Sequence, residues 1–394
     1  MSDFLILSKK LSFNGESPWL TDDLVLSLLE HQENVDVLLF DLSGKWKAGR
    51  SRWNGANVYA FPVKYSRGVI RYLSIFVNYL KILLFSFYLK RNKKYDFVVG
   101  FSISSFFLFV PKVMQRACSS INVLFLWDFF PFHHRQIGKI NDGLSFGVAK
   151  MLEKASIYEY DNVALMSEKN KDVFSRLYPE YAGRTSVVPV WGKGKKFIEA
   201  EGENDFSEDY LNVVFGGQLT SGRGIEEIVF LAKRLHAEEA KVRVHVFGDG
   251  SLSCLIKEEA ESNPHLYYWG SVGRSDYKNY LKSADVGLVV TVAGVTYPTF
   301  PSKVIDYFSC KKPVVACVEE NTDFGAFVQD YVGAGVAVSA GDNERLYEAV
   351  VEFQELKVNG KLNAMGDNGY NYYVSHMEVS NTVLWLKELA RKGI

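Results

Sequence analysis

Short apolar runs of strand length alternate with helix-length segments along most of this chain. That alternation restricts the possible folds more than any other feature. Residues 211–215, 243–247, 266–269, 286–290, 313–316 and 335–338 are strand-sized and rich in Val, Leu and Phe. Between them, residues 225–237, 252–262, 275–283, 302–309 and 343–356 carry apolar positions at helical spacing. Strands alternating with helices predict a parallel sheet covered on both faces. The first half has a similar rhythm, with strand-sized runs at 4–7, 35–40, 97–99, 122–126 and 162–166. The expected fold class is therefore α/β, with two Rossmann-like, doubly wound units joined near residues 187–192. The expected boundaries are 1–190, 191–368 and a helical tail, 369–394, packing back towards the first unit. The crevice between two such units, at the carboxyl ends of the strands, is the default ligand site.

With 394 residues, 47% hydrophobic and 23% charged, the chain can bury sizeable cores, which excludes a disordered or fibrous protein. Cys118, Cys254, Cys310 and Cys317 show no CxxC pairing. Neither a disulfide framework nor structural zinc is expected, and a reducing cytoplasm fits. The opening MSDFLILSKKLSF lacks a basic start followed by a long apolar run, so no signal peptide is expected. The net charge of −1 hides an asymmetry. Residues 1–190 hold 24 Lys+Arg against 17 Asp+Glu, and residues 191–394 hold 21 against 29. No acid lies between Asp41 and Asp96, where there are twelve Lys or Arg. Such a basic half suits an anionic surface or polymer, or is simply a solvated basic face. No recognition helix, RNP-like strand or zinc pattern accompanies the charge, so nucleic acid is not the expected partner.

The 21 residues from Val69 through Leu89, VIRYLSIFVNYLKILLFSFYL, stand apart. Arg71, Ser74, Asn78 and Lys81 fall on one helical stripe, and the other face is rich in Phe, Tyr, Leu and Ile. Burying Arg71 and Lys81 in a spanning helix would cost about 2.5–3.5 kcal/mol each near the bilayer centre. A helix lying in the interface keeps the polar stripe wet and buries the rest. Lys90, Arg91, Lys93 and Lys94 follow, and each nearby cation adds about 1 kcal/mol of attraction to an anionic leaflet. The interfacial arrangement is favoured over an internal helix packed on the sheet.

The densest cluster of chemistry is in the second half. FGGQLTSGRGIEEI (residues 215–228) reads as strand, glycine-rich turn and helix. Its glycines let backbone amides approach a ligand, and Arg223 sits in the turn. A helix N-terminus beside a guanidinium suits a diphosphate. FGDGS (247–251) closes the next strand, and WGSVGRSDYKNYLKSADVGLVVT (269–291) follows. In TYPTFPSKVIDYFSCKKPVVACV (296–318), Pro301 and Ser302 open a helix carrying Lys303 and Asp306. Ser302 is placed to cap that helix. A cation in the first helical turn is unfavourable unless an anion binds there. Asp306, one turn on, is placed to accept hydrogen bonds from ribose hydroxyls.

The order GGQL, GRG, FGDG, WGSV, SADVGLVV and PSKVIDYFSCKKPVVA resembles the nucleotide-sugar half of retaining GT-B glycosyltransferases of the family 4 type, over about residues 211–350. PSK, with DFFPFHH (128–134) upstream, is most similar to bacterial enzymes that build O-antigen, capsule or related surface polysaccharide. The resemblance implies a donor diphosphate held by Arg223. The family's second basic residue has its counterpart at Gln218, in Gly217-Gln218-Leu219, and Lys303 compensates the lost charge. The family's two-glutamate motif maps onto Pro298 and Asp306, so its first carboxylate is absent. Backbone amides over residues 299–302 are expected to replace the contacts of the missing carboxylate, with Thr299, Pro301 and Ser302 at the donor. Gly248 falls at the donor site, and Ser271 and Val272 match the loop that meets the base. Gly15, in NGESPW, matches the first unit's glycine loop near the transferred sugar.

Asp128 stands at the expected cleft edge, where it can orient or deprotonate an acceptor hydroxyl. His133 or His134 is placed to hydrogen-bond sugar or phosphate. The implied chemistry is front-face hexosyl transfer with retention, without metal or cofactor, the nucleotide sugar being substrate. The donor base is expected to be uracil. The implied partners are a lipid-linked glycan acceptor and, through Val69 to Leu89, the anionic inner leaflet of a bacterial plasma membrane. The alternative is a catalytically weak GT-B partner subunit that supports another transferase, an idea motivated by Pro298 and Gln218.

Overall fold

The computed structural model describes residues 1–13, 19–64, 68–118, 120–194 and 206–392. It divides into two compact units: Met1–Lys193 with Val379–Ile394, and Gly194–Glu378. The second boundary therefore falls ten residues later than the sequence suggested, with residues 369–378 in the second unit.

The first unit contains strands β1 (Asp3–Ser8), β2 (Asn34–Leu39), β3 (Gly49–Trp53), β4 (Ala56–Ala60), β5 (Phe97–Phe101), β6 (Ile121–Leu126), β7 (Asn162–Leu165) and β8 (Thr185–Val187). They form one sheet in the order β3-β4-β2-β1-β5-β6-β7-β8. All neighbours are parallel except β3 and β4. That hairpin turns at Asn54-Gly55, both with positive φ, as a two-residue turn between twisted strands requires.

Its helices include α1 (Leu20–Glu30), α2 (Val69–Asn92), α3 (Val110–Cys118), α4 (Phe132–Gln136), α5 (Leu144–Ile157) and α6 (Glu168–Leu177). Alternation along the strands sorts these into layers. Phe4, Ile6, Val37, Phe97 and Val99 share a core with Leu24, Val25 and Leu28 of α1 and with Val383, Leu386 and Leu389 near the C-terminus. Leu5, Leu7, Leu38 and Val98 point the other way, against Ile82 and Leu89 of α2 and Met114 of α3. Gly100 continues that second face. A Cβ there would lie 2.2 Å from the Tyr160 hydroxyl, so the segment just after α5 packs on the same face as α2 and α3.

α2 presents a different side to the protein than the sequence suggested. Its buried residues are Asn78, Ile82, Ser86 and Leu89. Asn78 Nδ2 donates to the carbonyl of Pro62 at 2.9 Å, so this polar residue faces the domain, not water. The helix is apolar on nearly every side, so a polar stripe does not by itself mark the outer face. The exposed side carries Val69, Ile70, Tyr72, Leu73, Phe76, Leu80, Leu84, Phe87 and Tyr88. Among the described residues, α2 is the helix long and apolar enough to cross a membrane.

The second unit is a six-stranded parallel sheet of β9 (Leu211–Gly216), β10 (Val242–Phe247), β11 (Leu266–Gly270), β12 (Val286–Val290), β13 (Val314–Val318) and β14 (Gly335–Ser339), ordered β11-β10-β9-β12-β13-β14. Strand order reverses beside β9, which defines the topological switch point where α/β sheets bind ligands. Its helices include α7 (Ile225–Ala237), α8 (Ser253–Ser262), α9 (Arg274–Ser283), α10 (Lys303–Ser309), α11 (Phe324–Ala326), α12 (Asn343–Val358) and α13 (Lys361–Tyr372). α14 (Val379–Lys392) ends the chain within the first unit, its core residues being those facing α1.

Candidate functional site

The loops beyond β9 and β10 are tied together by their backbones. Gly217 N–H donates to Phe247 O at 3.0 Å, Leu219 N–H to Asp249 O at 3.0 Å, and Leu252 N–H to Leu219 O at 2.8 Å. The approach is too close for side chains. A Cβ at Gly248, where φ is +130°, would sit 1.8 Å from the carbonyl oxygen of Gly217. Gly248 N–H donates to Gly270 O at 2.8 Å, which brings the turn carrying Ser271 and Val272 alongside. Gly217, Gln218, Gly248, Ser271 and Val272 thus lie together at the carboxyl edge of the sheet.

Two cations belong to this edge. Arg223 is exposed in the turn before α7. Lys303, first residue of α10, keeps part of its surface, but its ammonium is folded inward. Nζ lies 3.4 Å from the centroid of Phe215, and a Cβ at Gly217 would be 2.9 Å from its Cε. Burial, and secondarily the charge of Arg223, push the Lys303 amine well below its ordinary value. Among the described residues, neither cation has an ion pair. The charge of an anion beside this tight glycine turn would relieve both the desolvation of Lys303 and the mutual repulsion of the two cations.

The loop before α10 is anchored by a residue that sequence reasoning missed. Glu319, at the end of β13, is buried. One of its oxygens accepts from Thr299 N–H at 2.9 Å and from Thr299 Oγ1 at 2.6 Å, and the other accepts from Thr291 Oγ1. Thr322 Oγ1 donates to the carbonyl of Thr299 at 2.7 Å. Thr299 is held in place through this carboxylate, two residues before the Pro301-Ser302 pair. An acid directly after a central strand was the available signal, because loops at that edge carry the site.

Ser302 does not cap α10. Its backbone is already helical, with φ −65° and ψ −13°, and its side chain makes no capping bond. The turn starts earlier, with Val304 N–H donating to Pro301 O, so the first orphan amides are met by backbone. Asp306 faces Arg274 of α9, at 3.5 Å, so its carboxylate already has a cationic neighbour.

The first unit holds the other candidates. Asp128, after β6, is exposed, and its backbone N–H donates to Ser102 Oγ at 3.2 Å. His133 and His134 follow in α4, with ring centroids 6.3 Å apart. Burial lowers His134 from its ordinary value, against the opposing pull of Asp128. Lys9, after β1, joins this group, although the sequence reading passed over it. Burial lowers its amine to about 8, while Glu153 and Asp128 pull it back up. Gly15 lies outside the described residues. Among the described residues, no group of His, Cys, Asp and Glu is arranged to hold a metal ion.

Comparison with known proteins gives this arrangement a class. Residues 211–355, which include the β9 to β14 sheet, match the family model described as glycosyl transferases group 1. The fold of the whole chain is that of GT-B glycosyltransferases. Sucrose-phosphate synthase from Thermosynechococcus elongatus superposes with a TM-score of 0.74 at 15% identity, covering 100% of this chain and 99% of that one. HepE from Anabaena, solved in complex with UDP, gives 0.67 at 13%, covering 99% and 100%. WaaG, a glycosyltransferase involved in lipopolysaccharide biosynthesis, gives 0.62 at 15%, covering 94% and 95%. No curated protein matches the chain.

Proposed function

We propose that this protein is a retaining, metal-independent glycosyltransferase that moves a hexosyl group from a UDP-sugar to a lipid-linked glycan in bacterial surface-polysaccharide assembly. The observation that carries this reading is the pair of unpaired cations, Arg223 and Lys303, beside Gly217 at the carboxyl edge of β9. The match of residues 211–355 to glycosyl transferases group 1 supports it, as does the UDP in the HepE complex.

In this reading the donor diphosphate lies on Gly217 and Gly248, between the Arg223 guanidinium and the Lys303 ammonium. Negative charge accumulates on the diphosphate as the glycosidic bond breaks. Preorganised, partly desolvated cations stabilise that charge more than they stabilise the ground state, which lowers the barrier. The Ser271–Val272 turn meets the base. Asp306, shared with Arg274, is available to the ribose. Asp128 orients the acceptor hydroxyl and takes its proton, and His133 or His134 binds acceptor sugar or phosphate. The protein works at the cytoplasmic face of the inner membrane, with the apolar outer face of α2 in the anionic leaflet.

A thermal-stability screen against UDP-, GDP- and dTDP-sugars, followed by transfer assays, tests the proposal. A UDP-sugar should stabilise the protein, and Arg223→Ala and Lys303→Ala should each lose transfer while remaining folded. Wild-type rates in both variants would refute the diphosphate assignment. The alternative of a non-catalytic partner rests on Pro298 and Gln218, and the Asp306–Arg274 pair favours it. It predicts no protection by any nucleotide.

A further inference from the structure

We propose that the membrane contact is made by two helices, with α5 as a second embedded element beside α2. The inference rests on the membrane reading of α2 and extends it to a surface of different sequence. Leu144, Val148, Met151 and Leu152 of α5 are exposed, and Leu144 is 85% accessible. Their spacing of four, three and one residues puts them on one side of the helix. The opposite side is fixed to the protein. Glu153, Ser156 and Ile157 are buried, and Glu153 accepts hydrogen bonds from Ser104 N–H and Oγ and from Ser105 N–H.

α2, α3 and α5 cover the same sheet face, so their outer sides look away from the sheet together. Between α2 and α5 lies Phe109, itself exposed. Its N–H donates to Glu159, just beyond α5, at 2.8 Å. The layer is an apolar ridge, an exposed aromatic ring and a second apolar ridge.

Charge selects the occupant. α2, α3 and α5 contain one acid in total, Glu153, and it is buried. Exposed cations border the ridges, among them Lys81, Arg91, Lys112 and Lys150. Apolar ridges edged by cations, on helices that carry no exposed acid and with the neighbouring Asp142 paired to Arg135 at 3.3 Å, complement an anionic bilayer surface, where apolar side chains enter the acyl boundary and cations meet headgroups. A second line of contact also fixes the rotation of the first unit about the α2 axis, which one helix alone leaves free.

The test uses full-length protein carrying Cys118→Ser and Cys254→Ser, with an environment-sensitive fluorophore on Phe76→Cys, Val148→Cys or, as control, Glu226→Cys. Phosphatidylethanolamine vesicles containing phosphatidylglycerol and brominated acyl chains are added. Labels at 76 and 148 should both be quenched, with the label at 226 unchanged. Unlabelled Val148→Glu/Met151→Glu protein should keep its circular dichroism melt and lose about tenfold in vesicle partitioning. Quenching at 76 without quenching at 148 would overturn the two-helix proposal and leave the α2 reading standing. Quenching at neither site would end both. A vesicle-free dimer dissociated by Val148→Glu, with no quenching, would overturn the proposal in favour of a second copy of the chain as the occupant.

Discussion

Replacing Lys303 by Met should make the ligand-free protein more stable while removing its response to UDP. The ammonium lies over Phe215 with no carboxylate beside it among the described residues, and burial holds its amine well below the ordinary value. Partial desolvation of one ion costs several kcal/mol, while a desolvated cation–π contact returns about 2 kcal/mol. The residual penalty is about 1–3 kcal/mol, and Met fills a similar volume without a charge. In a unit of this size each kcal/mol moves the unfolding midpoint by about 2–4 °C, so a rise of about 2–12 °C is expected. The wild type should instead gain about 2.7 kcal/mol from UDP at one hundred times its Kd, and the variant little of that. The sign of the pH dependence follows from the depressed amine. Between its lowered folded value and the ordinary 10.5, the unfolded chain binds more protons, so wild-type stability rises with pH in that window. The variant should lack that rise. Differential scanning fluorimetry of the two proteins, with and without UDP, reads all three effects. A variant that is less stable than wild type and equally stabilised by UDP would refute the reasoning.

Other consequences are equally direct. Glu319→Ala strips acceptors from Thr299 and Thr291, and should cost about 2–4 kcal/mol in urea unfolding and raise the donor KM, with Glu319→Gln falling between it and wild type. Gly248→Ala forces a Cβ against the Gly217 carbonyl at a positive φ. It should cost about 2–4 kcal/mol and weaken UDP binding measured by titration calorimetry. Burial pushes the Glu159 carboxyl up to about 7, against the hydrogen bond from Phe109. The folded first unit therefore holds a proton there that the unfolded chain releases near 4.5, and stability should fall as pH rises from about 4.5 through 7. Scanning calorimetry across that range should show the decline in wild type and a flatter profile in Glu159→Gln.

The α/β architecture was legible because buried parallel strands read as continuous apolar runs bounded by loops. Ile225–Ala237 and Val286–Val290 have the expected ends. The β3–β4 hairpin was not read, because Gly49–Trp53 is polar and exposed along most of its length, although Asn54-Gly55 carried a turn signal. Sequence spacing brought the Gly217, Gly248 and Lys303 segments to one sheet edge. It did not show the buried ammonium over Phe215, since that contact depends on how the β9 and β12–α10 connections meet. Glu319 escaped for the same reason: its partners lie 20 and 28 residues away in the chain. Ser302 had the right residue type for a cap, but backbone already serves the first turn of α10. Asn78 shows the limit of amphipathic patterning, since one carbonyl of the first unit, that of Pro62, outweighs the stripe.

A crystal structure of the protein with UDP tests the central claim most directly. The account predicts β-phosphate oxygens within about 3 Å of both the Arg223 guanidinium and the Lys303 ammonium, on the Gly217 turn. A diphosphate bound elsewhere, or bound with Lys303 still folded over Phe215 and Arg223 in solvent, would contradict it.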